Sequence, residues 1–289
     1  VDDKDDKSTL WVLDRRGGEG QKLLEVKGSL LDYAWRPDGK KIALVIKDPD
    51  YSDTSKTKIR KPYVMNRYRF KQDVVGYLEN RRTHLYLFDL ATKKIDTLTR
   101  GNFEEREPTW SPDGTQIAFV SNRTEDPDRN ENDDIWVMNA SPGSEIHQLT
   151  TWKGTDNNPV WSPDGKYIAY LQSTSDEPFT MYGQTMLALI SPNGGVPKQL
   201  TKNLDRPVST PRWSKDSKSI GVLVADNRVS YPASISVADG TMKKLATGEM
   251  SFSDIEGRIG NDWVTLMSTP QLPTEIYAIE GTEVRRITH

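Results

Sequence analysis

The sequence predicts an all-β fold, a β-propeller of four-stranded antiparallel blades, and two observations carry that prediction. A Trp followed by a turn rich in Pro, Asp and Gly recurs along the 289 residues, each copy leading into an alternating apolar strand and then two shorter strands. The copies at Trp110, Trp161 and Trp213 stand 51 and 52 residues apart, the period of propeller blades. A β-sandwich does not repeat one turn at such an interval, and helical repeats lack the strand alternation.

The first two copies are Asp32-Tyr33-Ala34-Trp35-Arg36-Pro37-Asp38-Gly39 and Pro108-Thr109-Trp110-Ser111-Pro112-Asp113-Gly114. The next two are Pro159-Val160-Trp161-Ser162-Pro163-Asp164-Gly165 and Pro211-Arg212-Trp213-Ser214-Lys215-Asp216-Ser217. Pro presets the first corner, Asp bonds nearby backbone and Gly takes the left-handed position, so each copy folds two strands back on each other. A fifth copy is degenerate: Ser253-Asp254-Ile255 has no Trp, but a turn at Gly260-Asn261-Asp262 feeds a strand from Trp263 to Met267.

Third strands are expected at 85–90, 135–139, 186–190, 234–238 and 276–279. The closing strands at 95–99, 146–150, 197–201, 243–245 and 284–288 read as outer ones, and four of the five end in Leu-Thr or Ile-Thr. Trp35 to Trp110 spans 75 residues, so the first unit carries an insertion. The units are a partial blade at 1–30, a blade at 31–100 with an inserted loop at 49–83, blades at 101–151, 152–202 and 203–248, and a divergent blade at 249–289. About five and a half blades cannot close a ring neatly, so the chain is expected to be part of a longer propeller with an apolar blade face left in water.

A net charge of −3 and pI near 5.8 give no global reason to hold a phosphate backbone, so nucleic acid is not the expected partner. The absence of Cys excludes disulfides, thiol nucleophiles and thiolate metal sites. No apolar run approaches the roughly 18 residues that span a bilayer, so no membrane partner is expected. The start, Val1 to Lys7, is too charged for a signal peptide. Compartment stays open, with a cytoplasmic one as the default.

Serine hydrolysis on an α/β-hydrolase needs Gly-x-Ser-x-Gly, and no such pentapeptide occurs, so no catalytic residue is expected in this chain. His84, His147 and His289 fall in different blades without a shared motif and read as structural. The acidic stretch from Thr124 to Asp134 has oxygen ligands but not the spacing of an EF-hand, so a solvated hairpin is expected and no metal or cofactor is assigned. Trp35, Trp110, Trp161 and Trp213 read as blade-to-blade packing. In the insertion, Lys56, Lys58, Arg60, Lys61, Arg67, Arg69 and Lys71 stand together without an acid, against the sign of the whole chain. Such guanidinium groups suit a carboxylate fork or a domain interface, with a solvated loop as the alternative.

The Trp-Ser-Pro-Asp-Gly turns with Asp133-Asp134-Ile135-Trp136-Val137-Met138 resemble the TolB-type propeller repeat. The insertion, Asn66-Arg67-Tyr68-Arg69-Phe70-Lys71-Gln72-Asp73 running on to Gly76-Tyr77-Leu78-Glu79-Asn80-Arg81-Arg82-Thr83-His84-Leu85-Tyr86, resembles the acylaminoacyl-peptidase and dipeptidyl-aminopeptidase-like branch of the prolyl oligopeptidase family. Phe119-Val120-Ser121-Asn122-Arg123 and Asn203-Leu204-Asp205-Arg206-Pro207-Val208 are similar to the same family. That resemblance implies a parent ring of about seven blades capping an α/β-hydrolase domain absent from this chain, short peptides as substrates and a possible homo-oligomer. It puts Arg67, Arg69, Tyr77 and Arg81 nearest the substrate cavity or domain interface. The expected function is a non-catalytic gating and docking domain of a serine oligopeptidase. The alternative is a stand-alone TolB-like propeller that binds a protein partner.

Overall fold

The computed structural model describes residues 7–49, 64–65, 67–73, 76–78, 81–177, 183–248, 250–257, 262–281 and 283–288. Two strands, β1 (Lys7–Val12) and β2 (Gln21–Lys27), pair alone. The first full blade is β3 (Ser29–Trp35), β4 (Lys41–Lys47), β7 (Thr83–Asp89) and β8 (Ile95–Thr97), and its insertion carries the short ladder of β5 (Lys71–Gln72) and β6 (Gly76–Tyr77). The second is β9 (Glu105–Trp110), β10 (Gln116–Ser121), β11 (Asp134–Asn139) and β12 (Ile146–Gln148). The third is β13 (Asp156–Trp161), β14 (Ile168–Ser173), β15 (Thr185–Ile190) and β16 (Lys198–Gln199). The fourth is β17 (Val208–Trp213), β18 (Ser219–Asp226), β19 (Val229–Ser236) and β20 (Met242–Lys244). The fifth is β21 (Ser251–Gly257), β22 (Trp263–Ser268), β23 (Glu275–Glu280) and β24 (Glu283–Arg286).

Each blade is a meander of antiparallel neighbours, and the first strands of successive blades touch one another, so they are innermost. The predicted closing strands are the outermost. Up-and-down order gives the ring two distinct faces. A turn face carries the Pro-Asp-Gly hairpins; a connection face carries the links between second and third strands and the crossings to the next blade.

The core lies between blades because each sheet is apolar on both sides. Ile117 and Phe119 of β10 pack with Ala43, Val45, Leu85 and Leu87 of the first blade. Their alternate neighbour Ala118 packs with Ile168, Tyr170 and Ala188 of the third. Each blade is thus one layer of its neighbours' cores. On β3, by contrast, Leu31, Tyr33 and Trp35 are exposed.

The repeated turns are closed by their own side chains. Ser111 Oγ donates to Asp113 at 2.6 Å and accepts the Gln116 N–H at 2.9 Å. Ser162 and Ser214 repeat both contacts. Where the first turn has Arg36 in place of Ser, its Nε instead crosses to the Gly114 carbonyl of the next turn at 3.0 Å.

Three of the four Trp residues, Trp110, Trp161 and Trp213, pack between blades as expected, and two of them also lace blades by a hydrogen bond. Trp110 Nε1 donates to Ala34 O and Trp213 Nε1 to Val160 O, both at 2.9 Å. Trp161 is buried with no acceptor for its N–H among the described residues, and Trp35 is 42% exposed, so the packing expectation fails at Trp35. The fifth blade moves its Trp to β22, where buried Trp263 packs on Gly221 of the fourth; a Cβ on Gly221 would fall 2.5 Å from the ring. The expected third strand at 234–238 is also displaced. It begins at Val229, because Asn227 and Arg228 close a two-residue hairpin with β18.

Candidate functional site

The inserted loop of the first blade leaves and re-enters on the connection face, over the second blade. A cleft of about 460 Å³ lies there, walled by Lys47, Arg67, Arg69, Arg81, Arg82 and Arg106. Arg67, 11% exposed at its side chain, grips Asp128 with both Nε, at 2.8 Å, and Nη2. Asp128 also accepts the Arg69 N–H at 3.4 Å. The Arg67 guanidinium therefore holds the Asp128 carboxyl below its ordinary range.

This corrects the expectation of a solvated hairpin at 124–134. Pro127–Arg129 form a short 3-10 turn that buries Asp128, and Asn130 ties the turn to Asn122, Thr124 and Asp126. Asp133 takes a two-pronged contact from Arg106 at 3.1 and 2.6 Å. Across the cleft Arg82 holds Glu104 at 3.1 Å, and Arg81 reaches the Asp48 carbonyl at 3.5 Å.

Of the expected site residues, the fold brings Arg67, Arg69 and Arg81 to one cleft. Tyr77 stands on β6, half exposed and outside its lining. Lys56, Lys58, Arg60 and Lys61 lie outside the described residues, as does His289. Arg106 was missed because it reads as part of a repeat strand.

Beneath this face runs a repeated polar seam that explains the Leu-Thr endings. Thr99 Oγ1 accepts the Leu85 N–H at 2.8 Å, Thr150 the Ile135 N–H at 2.9 Å, Thr201 the Leu187 N–H at 2.8 Å and Thr288 the Ile276 N–H at 3.0 Å. Each hydroxyl thus satisfies the first inner N–H of a third strand.

The side chains flanking that hydroxyl change from seam to seam. Between the first and second blades, His84 Nδ1 meets buried Glu105 at 3.0 Å, and Thr99 donates to the same carboxylate at 2.8 Å. Arg123 completes that site, 2.7 Å from Glu105 and stacked over the rings of Phe103 and Trp136. No Ser hydroxyl bonds His84 among the described residues, so this is a packed ion network rather than a nucleophile and its base.

At the next seam two acids, Asp134 and Asp156, take the corresponding places beside Thr150. Gln148 donates to Asp134 at 2.8 Å and Gln172 to Asp156 at 3.1 Å, but no cation among the described residues pairs with either. Burial pushes both carboxyls up to about 7.

A model described as the TolB beta propeller domain matches residues 76–254. The chain belongs to the TolB β-propeller family. Its propeller is similar over 119 residues, at 29% identity, to the uncharacterized peptidase YuxL of Bacillus subtilis, a stretch covering 41% of this chain and 17% of that protein. It is 25% identical over 174 residues to dipeptidyl-peptidase 5 of Porphyromonas gingivalis, covering 59% of this chain and 25% of that one. In fold it matches acylaminoacyl peptidase of Pyrococcus horikoshii with a TM-score of 0.73 at 16% identity, over 97% of this chain and 41% of that one. This TolB-type propeller thus spans well under half the length of these peptidases.

Proposed function

We propose that this propeller is the gating and docking domain of a serine oligopeptidase, set with its connection face against an α/β-hydrolase domain and admitting short peptides to it. The observation that carries the reading is the cleft on that face, held in shape by the Arg67–Asp128 pair, where six basic side chains outnumber four acidic ones in a chain of net negative charge. The likeness to peptidases, in sequence and in fold, supports the same reading. Arg69 and Lys47 supply the positive wall, while Arg67, Arg82 and Arg106 are spent on acids that fix the loop.

The test is made on the product of the complete gene. A fluorophosphonate probe should label one Ser outside these residues, and Arg67→Ala should reduce the preference for a tripeptide over a peptide of about thirty residues. Absence of any labelled Ser would remove the peptidase reading and leave the protein-binding propeller.

A further inference from the structure

A second cavity, of about 730 Å³, lies on the connection face between the fourth and fifth blades, away from the cleft described above. Its origin is visible in the repeat. Leu245 N donates to Pro232 O at 2.9 Å, just as Leu98 donates to Leu85 and Leu149 to Ile135, so Pro232 and Ala246 hold the places of the capped strand residue and the capping Thr. Pro232 has no N–H to cap, and Ala246 has no hydroxyl to cap it with. The polar bridge that fills the other seams is gone, and both Ala246 and the neighbouring Tyr231 line the space.

Among the described residues, the rest of the lining is rich in donors and holds one acid. Lys244 lies 4.1 Å over the Tyr231 ring and has no carboxylate partner among the described residues. Asp226, the one acid in the described lining, is held by Arg206 at 2.6 Å. Ser251, Ser268 and Thr269 add hydroxyls, and Met250 and Pro270 an apolar wall.

The rim is strained. Asn227 and Arg228 close the β18–β19 hairpin with φ of 46° and 70°, the geometry of a type I′ turn whose second position Gly takes without penalty. Arg stands there at that cost and lines the cavity, with no partner for its side chain among the described residues.

We propose that this cavity binds a small organic carboxylate with an apolar body, the carboxylate held by Arg228 and Lys244 and the body lying against Met250, Ala246 and Pro270. Arg supplies the planar fork for the carboxylate, and Lys the second charge.

The probe is 3-phenylpropionate, titrated into this chain and followed by two-dimensional NMR, with 3-phenylpropionamide and sulfate as controls. The acid should shift the signals of Arg228, Lys244 and Ser251 and bind about tenfold or more tightly than the amide, as a lost charged hydrogen bond requires. Arg228→Gly should weaken binding by about tenfold while raising Tm, because it removes the ligand contact and the turn strain together. Lys244→Gln should weaken it without that gain. Equal binding of acid and amide, sulfate binding as tightly as the acid, or unchanged affinity in Arg228→Gly would each overturn the proposal.

Discussion

Arg67 and Asp128 stand 61 positions apart in sequence and meet in a two-pronged, largely buried ion pair that fastens the first blade's insertion to the second blade. It adds to a short ladder, β5 and β6 being two residues long on each side, and to Arg129 of the second blade, which lies 4.3 Å over the Tyr68 ring of the insertion.

Arg67→Ala should therefore cost about 3 kcal/mol, the range for breaking a buried pair and leaving a carboxylate behind. Arg67→Lys should recover only part, because a point charge cannot occupy both prongs. Urea denaturation gives the loss, and amide exchange at residues 67–73 should quicken in step with it. Asp128 is depressed when folded, so its contribution is present above the ordinary carboxylate range and lost as pH falls through its folded value.

The acid pair at the second seam has the opposite sign. Asp134 and Asp156 titrate near 7 when folded, so the folded chain binds more protons than the unfolded one between about pH 4 and 7. Their contribution is full below the unfolded value and disappears as pH rises through 7, so stability should fall from pH 5 to pH 8. Asp156→Asn should flatten that slope and be the more stable protein at pH 8, as read by Tm across the range.

The threonine caps make a graded set. Thr99→Ala, Thr150→Ala and Thr201→Ala should each cost about 1–3 kcal/mol by leaving a buried N–H unpaired. Ala246→Thr should give no corresponding gain, because the residue across from it is Pro232. Parallel denaturation of the four variants checks both statements.

Gly221 is an indispensable gap rather than a turn. Gly221→Ala sets a methyl against the Trp263 ring and should cost about 1–3 kcal/mol. Trp263→Phe in the same chain should return part of that loss if the ring is the obstacle.

The blades were legible because their turns are written in local chemistry: Ser, Pro, Asp and Gly at fixed offsets specify a hairpin wherever it sits. The arginines of the insertion were legible for a similar reason, as an unbroken run of one charge. What joins distant parts was not. Asp128 reads as one more acid in an acidic loop until Arg67 arrives from the previous blade. Trp263 looks like a displaced remnant until Gly221 is seen to make room for it. The Thr endings were visible as a pattern, but their role depends on the N–H they cap, which lies 12 to 15 residues earlier on another strand. The hairpin at Asn227-Arg228 was missed because Arg is the wrong residue for its backbone, and that mismatch marks the second cavity.

The most direct test of the central claim is amide exchange measured on the product of the complete gene and on this chain alone. Docking by the connection face predicts that residues 81–83, 102–106 and 122–133 exchange more slowly in the complete product, while the turns at 36–40, 111–116 and 162–167 are unchanged. Slowed exchange at the turns, or no difference on either face, would contradict it.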